Sequence, residues 1–398
     1  MKKIFVINAG SSSIKYQLFN MPDPDPVCIG QVEKIGGKAE IRYTVKGSPA
    51  VRINRSCNIS DHREAMEQIL ALLTDDKSGV IESSADIEIV GHRIVHGGEE
   101  FLDATVINEA AKAKIRSLFS LAPLHNPVNY TCLEIAEQFF DKAKHVAIFD
   151  TAFHQTMPEK AYRYAIPEDF YREEHIRVYG FHGTSHKYIC KKAAEFLGEL
   201  PQKLISIHLG NGCSITAVRD GRSVDTSMGF GPLAGLVMGT RSGDIDPSVI
   251  FHLADKSGMN IDEIRDLLNK NAGLLGLAGS NDMRIIREKI NAGDKKAALV
   301  VMMYVYRVKK YMGAYAAAMN GVDAILFTAG VGENDIEIRR LICEDMEFLG
   351  VRLDEKSNAA VSSEIRTIQQ PHSKVKIIVV PTNEELEIAL QCYDLEDD

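Results

Sequence analysis

The sequence has no basic run, no long apolar run and no paired cysteines, and each absence removes a class of protein. Its 46 lysines and arginines are outnumbered by 55 acidic residues, for a formal net charge of −9. Nucleic acids and anionic membranes are held by clustered cations that release counterions, so this acidic chain is expected to bind neither. After Met1-Lys2-Lys3 only Ile4 to Ile7 are apolar before Asn8, too short a run for a signal-peptide core. No apolar stretch approaches the roughly 18 residues of a membrane span. The seven cysteines, at 28, 57, 132, 190, 213, 343 and 392, include no Cys-x-x-Cys pair. They read as reduced thiols of a cytoplasmic protein, not as a disulfide frame or a zinc site. Low-complexity segments are also missing. What remains is a 398-residue globular chain, 45% hydrophobic and 25% charged, which at about 150 residues per domain predicts two or three domains.

Strand-like and helix-like stretches alternate, which predicts an α/β protein. Short apolar runs at 3–6 and 14–19 flank a turn of Gly and Ser, and Pro-Asp-Pro-Asp-Pro at 22–26 marks a loop. Beyond Ser60, the residues Ala65, Ile69, Leu72 and Leu73 share one helical face. Ile87, Ile89 and Val95 alternate as in a strand, and Val146 to Phe149 form another. Asn260 with Glu263 forms a capping-box pattern. The longest helical pattern runs from Asp294 to Met319 and stops at Asn320-Gly321. With no polar face over Ala297 to Val305, it is expected to lie buried between layers. An internal echo is present: 4–14 and 205–215 share the layout strand, glycine turn, serine, strand. Aligning Gly10 with Gly212 lays Ser12 over Ser214, which predicts two equivalent halves facing each other across a cleft.

Several constellations carry possible chemistry. In Asn8-Ala9-Gly10-Ser11-Ser12-Ser13-Ile14-Lys15, glycine lets backbone N–H groups converge on an anion, hydroxyls add donors, Lys15 adds charge, and the Asn8 carbonyl could order a hydrated Mg²⁺. An ordinary hairpin accounts for the same residues. His208-Leu209-Gly210-Asn211-Gly212-Cys213-Ser214 is a second hairpin that could approach a polyphosphate, or simply an Asn-Gly turn. Ala324 to Asn334 reads as strand, glycine turn, helix, an arrangement that places a ligand at a helix N-terminus. Neither a P-loop nor a strand-borne dinucleotide fingerprint is present.

Arg93 shares a strand face with Ile87, Ile89 and Val95. Its guanidinium needs an anionic partner, either a substrate carboxylate or a structural acid, and Val95 would wall the rest of a small carboxylic acid. Asp150 ends a strand, where α/β sheets carry functional groups, or else begins an Asx turn. His182 sits beside Gly183 and could donate to a phosphoryl oxygen. Arg241, in Met238-Gly-Thr-Arg-Ser-Gly-Asp-Ile-Asp-Pro247, resembles a charge clamp for a transferring phosphoryl group. In Pro381-Thr-Asn-Glu-Glu385, Thr382 and Glu385 suit a capping box, which leaves Glu384 to act at a metal through water.

Taken together these motifs closely resemble the acetate kinase family, within the actin-like ATPase superfamily that also holds sugar kinases. The resemblance covers essentially the whole chain in the right order. It implies two duplicated ribonuclease-H-like domains with a central cleft, at 1–150 plus 386–398 and at 151–385. It implies Mg²⁺-dependent (or Mn²⁺-dependent) reversible phosphoryl transfer from ATP to acetate, giving acetyl phosphate and ADP, in a cytoplasmic homodimer. Carried over by position, Asn8 and Glu384 are the metal positions and Lys15 is an ATP contact. His208, Leu209, Gly210, Asn211 and Gly212 face the phosphates. Asp282, Met283 and Arg284, with Gly330, Val331, Gly332, Glu333 and Asn334, frame the adenosine. Arg93 contacts acetate, Asp150 is the catalytic acid, and His182 and Arg241 stabilise the transition state. Val95, Leu124, Phe181 and Pro232 form the methyl pocket. Because acetate is already ionised at neutral pH, Asp150 is read here as orienting Arg93 or the metal's water shell. Family members acting on propionate tend to carry Ala at the position of Val95, which favours the shorter acid. A nucleotide-driven binding machine of the same superfamily is the alternative from another class, and it would turn over ATP without regard to acetate.

Overall fold

The computed structural model describes residues 1–47 and 51–395. The chain divides into two compact units, Met1–Ala152 with Asn383–Asp398, and Phe153–Thr382. The return to the first unit falls at Asn383, so Glu384 and Glu385, expected in the second domain, belong to the first. Residues 396–398 of the expected C-terminal segment lie outside the described residues.

The first unit is built on an eight-stranded sheet of order β5-β4-β3-β2-β1-β6-β8-β7. Its strands are β1 (Lys2–Gly10), β2 (Ser13–Met21), β3 (Pro26–Glu33), β4 (Gly37–Val45), β5 (Val51–Ile59), β6 (Ile89–Ile94), β7 (Thr105–Val106) and β8 (Lys144–Phe149). β1 pairs antiparallel with β2 and parallel with β6, which runs parallel to β8. The helix His62–Leu73 buries Ala65, Ile69, Leu72 and Leu73 as its spacing predicts, and Asp61 caps it by accepting from the Glu64 N–H. β6 departs from the alternating pattern: Ile89 to His92 are all buried, because the strand lies in the sheet interior with both faces covered.

The second unit has a six-stranded sheet of order β11-β10-β9-β12-β14-β13. These strands are β9 (Lys203–Leu209), β10 (Cys213–Arg219), β11 (Arg222–Thr226), β12 (Ala324–Thr328), β13 (Arg366–Thr367) and β14 (Lys376–Val379). The runs β3-β2-β1-β6-β8 and β11-β10-β9-β12-β14 have the same order, and in both the last three strands are parallel. The internal echo is therefore a duplicated topology, but its residue register is corrected. β1 and β2 close at Gly10 opposite Ser13 around a two-residue turn. β9 and β10 close at Leu209 opposite Cys213 around three residues. The extra residue puts Gly10 in the place of Leu209, not of Gly212.

Three further expectations are corrected. The helix Lys295–Met319, capped by Asp294, exposes Leu299, Met302, Met303 and Tyr306. These fall at i, i+3, i+4 and i+7, so one apolar stripe is open. The glycines after β12 lie inside the helix Ala329–Asn334, which begins directly on the strand with Ala329 at φ +65. The cap of the final helix Glu384–Asp394 is Asn383, whose side chain accepts from the Leu386 N–H, and not Thr382. The Asn260/Glu263 capping box is present as expected. Among the described residues, no helix is long and apolar enough to cross a membrane.

Candidate active site

In the first unit the sheet places three polar residues at the carboxyl ends of adjacent parallel strands. Ile7 lies opposite His92, and Arg93 opposite Ile148. Asn8, Arg93 and Asp150 therefore emerge side by side. Arg93 Nε donates to both Asp150 oxygens at 3.0 and 3.1 Å, Nη2 donates to Oδ2, and Nη1 donates to Asn8 Oδ1 at 3.0 Å. Asp150 is 1% exposed. Three of the five guanidinium N–H groups are thus taken, and one edge with an N–H on each Nη is left for a second anion.

A glycine brings the C-terminal helix to this site. Gly91 shares the β6 face with Arg93. A Cβ there would lie 2.8 Å from both Ile388 Cγ2 and Cys392 Sγ, so the helix Glu384–Asp394 seats against bare backbone. One turn before Ile388, Glu384 Oε2 then stands 4.0 Å from Arg93 Nε, while Glu385 Oε1 accepts from Asn8 Nδ2 at 3.3 Å. Burial raises the Glu384 pKa to about 7, with Asp150 and Glu385 adding to the rise and Arg93 and Lys15 opposing it. Burial pulls the Arg93 pKa down, but Asp150, Glu384 and Glu385 outweigh it and hold that pKa above its ordinary value.

A carboxylate with a raised pKa opposes folding once it ionises: its effect is absent below about pH 4.5 and complete above about pH 7. Glu384→Gln is therefore expected to unfold at a higher temperature than the wild type at about pH 8, with the gap closing by about pH 5. Calorimetry at the two pH values checks this, and a less stable variant at the higher pH refutes it.

The second unit holds the other candidate group. His182 precedes the helix Gly183–Leu197 with φ +58, a left-handed conformation that costs a non-glycine residue about 1–3 kcal/mol. Its ring stacks on His208 at 4.4 Å between centroids, and its Nδ1 lies 2.9 Å from Ser214 Oγ. Arg241 donates through Nη1 to the Pro232 carbonyl, a neutral acceptor. Burial lowers its pKa, with Cys213 opposing. Among the described residues its cation thus has no carboxylate partner. A Cβ on Gly212 would fall 2.5 Å from Arg241 Nη2 and 3.2 Å from His182 Nε2, so both donors converge over that glycine. Gly212→Ala meets only side-chain tips. The variant is expected to keep its unfolding temperature within a few degrees and to lose at least tenfold in kcat, roughly one misplaced hydrogen bond. Wild-type turnover would refute the convergence.

Beside these groups a cavity of 920 Å³ is lined by Gly210, Asn211, Asp282, Met283, Arg284, Gly330, Val331 and Asn334, all expected at a nucleotide. Asp282 caps the helix Met283–Asn291 and is held at a pKa of about 2 by Arg284. Leu209 and Gly332 are buried. Glu333 is turned away: its carboxylate accepts from the N–H groups of Ala329 (2.8 Å) and Thr382 (3.0 Å), so it braces the loop instead of framing a base. Arg287, which also lines the cavity and pairs with Asp335, was not anticipated. Its spacing of four from Met283 on one helix was the available signal. Lys15 is exposed on β2, Val95 is half-buried, Leu124 is 50% exposed, and Phe181 is buried in the second unit, as Pro232 is in part.

Among the described residues no three His, Cys, Asp or Glu side chains converge as metal ligands. The donor set of the first unit nevertheless fits Mg²⁺, which prefers oxygen, keeps most of its waters and takes one or two carboxylates. Glu384 is a carboxylate that feels the charge of Asp150 and Glu385, a repulsion that a cation would relieve, and Asn8 Oδ1 has a second lone pair.

Two sheets with one shared core order, each opening on a hairpin, define the actin-like ATPase fold, and the cavity beside Gly210–Gly212 suits a nucleotide. The sequence profile of the Acetokinase family matches residues 3–390. Acetate kinase of Flavobacterium johnsoniae is 50% identical over 395 residues, with 99% of each chain covered. The crystal structure of Porphyromonas gingivalis acetate kinase superposes with a TM-score of 0.93 at 44% identity, with both chains fully covered. A propionate kinase from Francisella tularensis superposes at 0.91 and 40% identity, over 99% of this chain and 100% of that one. The chain belongs to the acetokinase family, and it is an enzyme of the kinase class.

Proposed function

We propose that the enzyme transfers the γ-phosphoryl group of ATP reversibly to acetate, giving acetyl phosphate and ADP. A carboxylate oxygen of acetate attacks phosphorus in line, and negative charge spreads over the equatorial oxygens. Positioning and cationic stabilisation, not covalent chemistry, then lower the barrier. The observation that carries this reading is the half-buried Arg241 guanidinium, which meets no carboxylate among the described residues and converges with His182 over Gly212. Both are assigned to the transferring phosphoryl group. Arg93, already half-neutralised by Asp150, is assigned to the acetate carboxylate, and Asp150 to orienting Arg93. Asn8 and Glu384 would hold Mg²⁺, or Mn²⁺, through water. The bound ion would offset triphosphate charge.

Val95 is assigned to measuring the acid's tail, together with Leu124, Phe181 and Pro232. One methylene is worth about 1–3 kcal/mol. Propionate is therefore expected to react roughly 10- to 200-fold less efficiently than acetate by kcat/KM. Trapping the acyl phosphate as its hydroxamate, with acetate, propionate and butyrate compared, tests both statements. ATP hydrolysis indifferent to acetate would overturn the reading, and equal rates for the three acids would overturn the specificity.

A homodimer is proposed on the apolar stripe of Leu299, Met302, Met303 and Tyr306, since open patches of this kind mark association surfaces. A monomer mass by sedimentation at micromolar concentration would refute it. A cytoplasmic location is supported by seven free cysteines. Disulfides in the native protein would count against it.

A further inference from the structure

We infer that a buried hydrogen-bond chain through Ser206, His186 and Ser214 holds the His182 ring as its Nε2–H tautomer. Ser214 and His186 are then positioning residues for the phosphoryl contact. The inference rests on the role proposed for His182 and deepens it.

Each link is short. Ser206 Oγ lies 2.6 Å from His186 Nδ1, Ser214 Oγ lies 2.8 Å from His186 Nε2, and the same Ser214 oxygen lies 2.9 Å from His182 Nδ1. Ser206, Ser214 and His186 are all 0% exposed, so no water can substitute for a mismatched donor. A neutral imidazole has one N–H and one bare nitrogen, and a hydroxyl has one proton. If His182 Nδ1–H donated to Ser214, one hydroxyl proton would be stranded. Either Ser214 would pass its proton to His186 Nε2 and leave the Ser206 proton with no hydrogen-bonded acceptor among the described residues, or Ser214 would accept from both rings and strand its own.

In the opposite order no proton is stranded: Ser206 O–H donates to His186 Nδ1. His186 Nε2–H donates to Ser214, and Ser214 O–H donates to His182 Nδ1. Burial, aided by His154 and His208, holds the His186 pKa well below its ordinary value, so His186 stays neutral.

The consequence reaches the reacting group. With Nδ1 accepting, the His182 proton sits on Nε2, the nitrogen that faces Gly212 beside Arg241 Nη2. A neutral His182 then presents a donor to a phosphoryl oxygen, and Arg241 supplies the charge. The left-handed backbone at His182 does not by itself fix the ring. Ser214 and the stacked His208, itself tied to Ser185 Oγ at 2.9 Å, do so.

Long-range ¹⁵N NMR of the imidazoles in the full chain, nucleotide-free at about pH 8, reads the tautomer directly. The His182 signals are assigned by their loss in His182→Gln. The expected result is a protonated Nε2 and a bare Nδ1. In Ser214→Ala the Nδ1–H form should appear and kcat should fall about tenfold, the worth of one aimed hydrogen bond, with the ATP KM within about twofold. Ser214→Thr should restore both the spectrum and the rate. A wild-type ring protonated on Nδ1 overturns the inference without recourse to any variant. So does Ser214→Ala with an unchanged spectrum and rate. If the wild type makes no acyl phosphate, the proposed function fails, and the spectrum still decides the tautomer.

Discussion

Arg241→Ala is expected to lower kcat by about 10²-fold or more, with a smaller change in the acetate KM. The guanidinium has a neutral carbonyl as its partner, and burial already works against its charge. A cation held in this state is electrostatically incomplete until an anion arrives, and charge on the transferring phosphoryl is greatest in the transition state. Its loss should therefore appear in kcat. Folding should be little affected, because removing a half-buried charge that has no carboxylate partner among the described residues also removes its desolvation penalty. Steady-state kinetics together with thermal unfolding check the pair of expectations. A protein that unfolds early, or one whose acetate KM alone has risen, would show Arg241 to be structural or a ground-state contact.

Arg93→Ala is expected to do the opposite on stability. Asp150 is 1% exposed and takes its charge partner from Arg93 through Nε and Nη2. Truncating one member of a buried pair leaves the other uncompensated, at a cost of about 3–5 kcal/mol. Because the Arg93 side chain retains 21% exposure, the lower end of that range is the expectation. Adding Asp150→Asn to Arg93→Ala should recover most of the stability, since the stranded charge is gone. It should recover no acetate-dependent turnover, since the guanidinium assigned to acetate is still missing. Denaturant unfolding of the two single variants and the double variant closes the cycle. Additive losses would show that the two side chains are not coupled, and recovered activity would show that Arg93 serves only Asp150.

In the sequence both arginines are offered to an anion, Arg93 from a strand face and Arg241 from a glycine-rich loop. Their difference arises from contacts 57 residues apart in one case and 9 in the other. Local pattern could not show it. Other features were legible because they are local: the apolar face of His62–Leu73, the capping box at Asn260, the hairpin at Gly10 and the strand ending in Asp150. The partners of Glu333 are hidden in the sequence for the same reason that those of Arg93 are. Its neighbours in the chain suit a ligand site, but Thr382, 49 residues on, claims its carboxylate.

By itself the sequence determined the kinds of chemistry available, the periodicity of the longer elements, the duplicated hairpins and the family. Each of these is written in spacing over a few residues or in motif order along the chain. Tertiary structure alone decided which acid neutralises which arginine, that Gly91 admits the C-terminal helix and so brings Glu384 to Arg93, and that Ser214 joins His186 to His182. Those relations depend on parallel strand register and on close backbone approach between segments far apart in the chain. Neither leaves a signature in local periodicity.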